Sequence, residues 1–221
     1  MMLCFPQMEN MFDFSGTRIP SLVIENPKFF RDFMLDLYGQ AAGEEGSLVL
    51  SENGKQLEIS TWVEIVDNCL HFEINTKMLL GRMQSALEQT AVGETFYSKT
   101  AAILQSVEEY VDSLSFGFSC DLVCRKCTPA ALIKAVSVHV RDEYEDPLER
   151  LTDYMELVRE FDRDKLFVLL NLRSYFTDAQ ISAFLKTISS NRYHALLIDC
   201  VDRPKLAEES RITVDIDLCE F

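Results

Sequence analysis

"SLVIENPKFFRDFM", from Ser21 to Met34, passes from an apolar run straight into a helical pattern. Ser21 to Ile24 has the make-up of a buried strand. Asn26 is a good N-cap and Pro27 suits the first helical position. Phe29, Phe30, Phe33, Met34 and Leu37 then share one face, with Gly39 as the expected stop. A strand running into a helix is where many α/β proteins hold a nucleotide phosphate. Such a site needs glycines, so that several backbone N–H groups turn around the anion, and a lysine and a hydroxyl for the phosphates and magnesium. The junction here is Glu25-Asn26-Pro27, where Glu25 repels phosphate and Pro27 has no N–H to give. No G-x-x-x-x-G-K-[ST] occurs in the chain. If the stretch belongs to a nucleotide-binding fold, that fold is kept as a scaffold.

Outward from this stretch, Leu3 to Phe5 reads as a short first strand. Ser47 to Leu50 and Gln56 to Ile59 flank Asn53-Gly54, a strong hairpin signal. Trp62 to Asn68 and Leu70 to Ile74 read as further strands. From Asn75 the period becomes helical, through Met78, Leu79, Met83 and Leu87, then Ile103, Val107, Tyr110 and Leu114, with a polar turn at Gly93-Glu94. Phe116 to Cys124 reads as strand, and Thr128-Pro129 opens another helix. Asp146-Pro147-Leu148-Glu149 and Thr177 with Gln180 read as capping boxes. Leu166 to Leu170 is apolar throughout, as in a central parallel strand, and Ala195 to Ile198 is a second such strand. Ile212, Val214, Ile216 and Leu218 alternate with polar residues, as in an edge strand. Strand and helix in alternation predict an α/β class. The α/β head is discontinuous, 1–74 and 140–221, with a helical insertion at 75–139.

The chain has 221 residues, 48% of them apolar, and a net charge of −15. Its longest apolar run, Leu166 to Leu170, is far below the roughly 20 residues a spanning helix needs. No cationic stretch precedes an apolar one at the start, so no signal peptide is expected, and the seven cysteines read as reduced cytosolic thiols. The acidic balance argues against nucleic acid, which normally demands a basic excess. Fields nevertheless act locally, over a Debye length of ~8 Å, so one groove of an acidic protein can still be cationic. Arg125, Lys126, Lys134 and Arg141 are the basic cluster, and Lys134 and Arg141 share a side if their helix continues.

Cys120-x₃-Cys124-x₂-Cys127 has the spacing of a three-thiolate cluster or zinc site, read against ordinary thiols at a strand–helix junction. His71, His139 and His194 lie in no metal-binding frame. Asp199 and Asp202 follow a buried strand, where α/β sites often lie, and read as strand-end turns. No catalytic constellation emerges.

The N-terminal LCFP, "LVIENPKFFRDFMLDLY", "HFEINTKMLLGRMQSALE", "ALIKAV", "DKLFVLLNLRSYFTDAQISAFL" and a late "LLIDC" resemble, in order and spacing, the CRISPR-associated adaptation protein of type II-A systems. That family is the small ring-forming subunit that binds double-stranded DNA ends. The resemblance implies a degenerate P-loop-NTPase-like head with an inserted helical leg, without nucleotide or catalysis. It implies a cytoplasmic homotetramer that encircles linear duplex DNA and works beside the CRISPR integrase subunits and the RNA-guided effector nuclease. Lys134 stands at a lumen lysine of the family and Arg141 close to a second such position; Arg125 and Lys126 extend the set. It also implies calcium before that helix, where Ser119 to Lys126 keeps Asp121 as its one carboxylate. The expectation is loss of at least part of that site. The rival readings are an adaptor of the adaptation complex without DNA binding, and a metal or cluster enzyme on the cysteine triplet.

Overall fold

The computed structural model describes every residue except Asp121, Cys124 and Arg125. The chain forms two compact units, one of Met1–Phe72 with Tyr144–Phe221 and one of Glu73–Glu143, beside the 75–139 insertion read from the sequence. The first segment runs β1 (Met2–Cys4), β2 (Met11–Asp13), β3 (Ile19–Ile24), α1 (Pro27–Ala41), β4 (Val49–Glu52), β5 (Lys55–Leu57), the short α2 (Ile59–Trp62) and β6 (Val63–Val66). The second unit carries α3 (Lys77–Val92), α4 (Tyr97–Ser115) and α5 (Pro129–Ala135). The chain then returns through α6 (Pro147–Phe161), β7 (Leu166–Leu170), a 3₁₀ turn at Leu172–Ser174, α7 (Asp178–Asn191), β8 (His194–Asp199) and β9 (Glu209–Val214).

In the first unit a parallel sheet has the order β6-β7-β8-β3-β9, and a smaller antiparallel sheet the order β2-β1-β4-β5. Alternation along the strands sorts the two faces of the parallel sheet. Leu22 and Ile24, Leu166, Val168 and Leu170, Leu196 and Ile198, and Val214 enter one core with Phe33, Met34 and Leu37 of α1 and Leu3, Phe12 and Leu50 of the small sheet. Phe167 points the other way and meets Tyr154 of α6, with ring centroids 6.4 Å apart. α6 begins at the carboxylate of Asp146, which accepts the Leu148 N–H, and α7 begins with the full capping box of Thr177 and Gln180. The β4–β5 hairpin turns through Asn53 and Gly54, both at positive φ, as a two-residue loop requires. No helix among the described residues is long and apolar enough to cross a membrane.

Several local readings change: Asp146 caps α6 without the capping box read with Glu149, and Ile59 and Trp62 belong to α2 rather than to strands. Gly39 does not stop α1; the helix runs to Ala41 and the left-handed residue is Gly43, at φ 91°. Leu70 to Ile74 is not a strand, because the Asn68 side chain accepts the Leu70 N–H and folds the chain into turns. Phe116 to Cys124 forms no strand among its described residues; α4 carries on to Ser115 and Phe118 N–H closes a turn on Ser115. β9 ends at Val214, since Asp215 Oδ1 accepts the N–H groups of Asp217 and Cys219 and bends the chain back.

The second unit is a helical hairpin with a third short helix against it. Thr76 caps α3 and Thr128 caps α5. Its two ends are joined by one side chain. Asn75 Nδ2 donates to Val140 O at 3.0 Å, and Val140 N–H donates to Asn75 Oδ1 at 2.8 Å. The carboxamide thus acts as a strand partner and closes a segment of 65 residues. Asn75→Ala should cost about 1–3 kcal/mol, since it leaves two half-buried backbone groups unpaired. Amide exchange at Val140 should accelerate well beyond that at Leu197 in the parallel sheet; unchanged exchange at Val140 would refute the clamp.

Candidate nucleic-acid interface

At the junction of β3 and α1 the helix has no donors left for an anion. Pro27 lacks an N–H, and the N–H groups of Lys28 and Phe29 both donate to Asn26 Oδ1 at 3.0 Å. Asn26 Nδ2 donates to Ile216 O at 2.8 Å, and Glu25 N–H to Val214 O at 2.9 Å. Both flanks of the would-be phosphate cradle are therefore spent within the protein.

Three cations of the second unit, Lys126, Lys134 and Arg141, are solvent-exposed by comparison. Lys126 and Lys134 are exposed and have no ion-pair partner among the described residues. Lys134 sits in the last turn of α5, where its charge suits the helix dipole. Arg141 reaches Glu143 at 3.3 Å with both side chains over 80% exposed, a pair worth well under about 1 kcal/mol and easily exchanged for a phosphate. α5 does not continue to Arg141. It ends at Ala135, and Ser137 is left-handed at φ 50°, so Lys134 and Arg141 do not share a helix face. Arg125 and Asp121 lie outside the described residues.

The sequence reading missed Lys77 and Lys99, which are also exposed on this unit. A charge count by unit finds them. Residues 73–143 hold seven Lys and Arg against nine Asp and Glu, a net −2 of the total −15. The acidic excess therefore belongs to the other unit.

Ser119 to Lys126 is a poor donor set for calcium, which takes six to eight oxygens. Its one carboxylate, Asp121, stands among thiols and cations. No group of three or more His, Cys, Asp or Glu is placed to hold a metal among the described residues. Of the cysteine triplet, Cys124 lies outside the described residues and Cys120 is exposed. Cys127 is half-buried, its N–H donating to Glu108 Oε1 at 2.7 Å. His139 Nδ1 lies 3.0 Å from Ser137 O, and His194 lies 3.6 Å from Asp164.

Asp199 is not a surface turn. It ends β8, nine-tenths buried, beside an ionic corner built on β9. Glu209, Arg211 and Thr213 share the face of β9 opposite Ile212 and Val214. Glu209, 1% exposed, accepts from Ser21 Oγ at 3.2 Å, Arg173 at 3.5 Å and Arg211 Nε at 3.0 Å. Arg173 also donates to Asp178 at 2.6 Å and to Pro204 O at 3.0 Å. Arg211 donates to Asp202 at 3.1 Å and to Arg203 O. The links join the sheet, the start of α7 and the 200–208 connection, so the corner fastens that connection across β9. Burial pushes the Asp199 carboxyl up to about 6, against the pull of Arg173. Charged residues spaced by two on an inward face, Glu209 and Arg211, were the available signal in the sequence.

The family model described as CRISPR-associated protein (Cas_Csn2) matches residues 40–218. The crystal structure of Stu0660 of Streptococcus thermophilus aligns with a TM-score of 0.57 at 13% identity, over 97% of this chain and 74% of that one, a likeness of fold. No curated protein matches the sequence.

Between the ordinary carboxylate range and pH 6 the folded state holds a proton at Asp199 that the unfolded chain releases, so this group's penalty grows as pH rises through that window. Asp199→Asn should raise stability at pH 7.5 by up to about 3 kcal/mol and change little at pH 4. Denaturant titrations at the two pH values measure this; equal effects at both would refute it.

Proposed function

Since the chain belongs to the CRISPR-associated Cas_Csn2 family, we propose that it is a non-enzymatic clamp for the ends of double-stranded DNA, acting in the cytoplasm in CRISPR spacer acquisition. The observation that carries the reading is the state of the helical unit. It bears four-fifths-exposed Arg141, together with Lys126 and Lys134, which have no ion-pair partner among the described residues, and little net charge in a strongly acidic chain. Arg125 joins this set from the sequence alone.

Assembly as a homotetrameric ring is part of the proposal. α4 buries none of its nineteen residues, and Tyr97, Ile103, Tyr110, Val111 and Leu114 stand exposed along it. Phe116, at its end, is 90% exposed. Apolar surface of this kind normally marks a contact with another chain. Four copies around one duplex would multiply a modest set of cations, and the acidic first units would hold other nucleic acid away. The head then serves as a degenerate P-loop-like scaffold: its sheet is parallel, with β3 between β8 and β9, and Asn26 fills the anion position. Integrase subunits and the effector nuclease are the partners such a clamp would serve.

The adaptor reading without DNA binding draws on the same apolar surface and on the acidic charge. Gel shifts separate the two. Linear duplex of mixed sequence should bind in low salt and weaken steeply as salt rises, and covalently closed circles should bind poorly. Lys126→Glu with Lys134→Glu should weaken linear binding by about tenfold or more. No shift at low salt supports the adaptor, and equal binding of closed circles sinks the ring.

Calcium is not part of the proposed mechanism, because basic side chains stand where acidic ligands would be needed. Calorimetry with calcium should give no strong saturable heat, and duplex binding should survive chelator; tight stoichiometric binding would overturn this.

A further inference from the structure

The amino end of the parallel sheet differs from its carboxyl end. There a cavity of about 380 Å³ opens between the loop entering β3 and the start of β8. Its size lies in the range of small-molecule sites. Arg18 comes from the loop and Arg192 from the end of α7, and no carboxylate lines the cavity in a chain with 36 acidic residues. Neither arginine has an ion-pair partner among the described residues. Acids beside the lining are already engaged: Asp13 accepts the Ser15 N–H, Asp164 faces His194, itself a lining residue, and Glu208 pairs with Lys186.

The loop itself supplies donors. Ser15 N–H is taken by Asp13, while the N–H groups of Gly16, Thr17 and Arg18 have no acceptor among the described residues. The loop is held open at both ends, by Phe14 N–H on Met1 O and Ile19 N–H on Glu208 O. Ser189 of α7 fastens its middle, Oγ donating to Thr17 O at 2.8 Å. Unspent backbone N–H groups beside two guanidinium groups are the chemistry of phosphate recognition. Phe14, Pro20 and Tyr193 give the cavity an apolar wall, which inorganic phosphate alone would not use.

We propose that this cavity binds an organic phosphate ester of nucleotide size. The phosphate sits on the loop from Gly16 to Arg18 with Arg18 and Arg192, and the organic body lies against the apolar wall. The ester is either a soluble small molecule or the terminal phosphate of a nucleic acid strand, and the same contacts serve both.

Calorimetry on the full chain with adenosine 5′-monophosphate, adenosine and inorganic phosphate tests this. The monophosphate should bind saturably, at least about tenfold more tightly than adenosine and more tightly than phosphate. Arg18→Gln and Arg192→Asn should each weaken it by about fivefold or more at unchanged melting temperature; asparagine tolerates the left-handed backbone at 192. A 5′-phosphorylated duplex preferred over a 5′-hydroxyl one, with the preference lost in Arg18→Gln, assigns the site to nucleic acid ends. A bound monophosphate without that preference assigns it to a soluble ester. Absence of saturable binding, adenosine binding as well as its monophosphate, or unaltered binding in both variants overturns the site. Lys126 and Lys134 play no part in this readout, so its failure is separable from failure of the duplex clamp.

Discussion

The carboxamide of Asn26 occupies the start of α1, where a helix would otherwise offer N–H groups to an anion. Its oxygen takes two N–H groups at the start of α1, and its nitrogen holds the carbonyl of Ile216 in the returning tail. A cap of this kind contributes about 1 kcal/mol. Its effect on chemistry is larger than that figure. A phosphate would have to displace both hydrogen bonds and detach the tail. It would also meet Glu25 one residue away. Proline at position 27 means that even a displaced cap would leave one donor fewer. The junction of β3 and α1 is thereby closed to an anion. Any work the molecule does with phosphates has to be done with other groups.

Those other groups obey local rather than global electrostatics. A net charge of −15 repels DNA at long range in dilute salt, but screening confines each charge to ~8 Å at physiological strength. Within that distance, what counts is whether a cation has already found a carboxylate. In the first unit the buried guanidiniums have: Arg173 and Arg211 are fixed by Glu209, Asp178 and Asp202. Breaking such pairs would strand a buried charge, so they are not available to a ligand. Lys126, Lys134 and Arg141 are solvated and lose little on exchanging water or Glu143 for phosphate oxygen. Cations of one type therefore divide between buried ones that hold the fold and exposed ones that stay exchangeable.

The same division explains what the sequence revealed. Features decided by adjacent residues were readable: the Asn26 cap, the Thr177–Gln180 capping box, the Asn53-Gly54 hairpin and the apolar run of Leu166 to Leu170. The misread segments had strand-like composition, but a nearby side chain took the backbone N–H groups that a ladder needs, as Asn68 does for Leu70 and Asp215 for Cys219. Ser137 gave no warning that α5 would stop before Arg141, because serine at a left-handed position has no fixed pattern. The family was legible from the order of many weak segments, and the matching family model covers residues 40–218. The ionic corner and the cavity were not legible. Glu209 and Arg173 are 36 positions apart, and Arg18 and Arg192 come from opposite ends of the chain. The parallel registers of β7 with β8 and of β3 with β8 and β9 bring them near.

The helical unit carries the cations of the proposed DNA contact and is also the less well-buried part of the molecule. Of residues 73–143, Ile74 and Leu79 are the buried apolar residues among those described, whereas the first unit has a continuous core. A helical hairpin that buries so little gains little from its own packing, because most helical stability comes from an apolar face covered by a neighbour. Closure by Asn75 limits what the rest of the molecule loses when this unit loosens: the entropy of a long loop rises slowly with length, and the clamp pins its two ends. The first unit can therefore stay folded while the second loosens. If assembly covers α4, the free energy of folding the helical unit and that of closing the proposed ring become one quantity, dependent on protein concentration. A surface left incomplete in the single chain then makes cation placement conditional on assembly, so that a lone protomer of this acidic protein presents few ordered charges to DNA and an assembled one presents many.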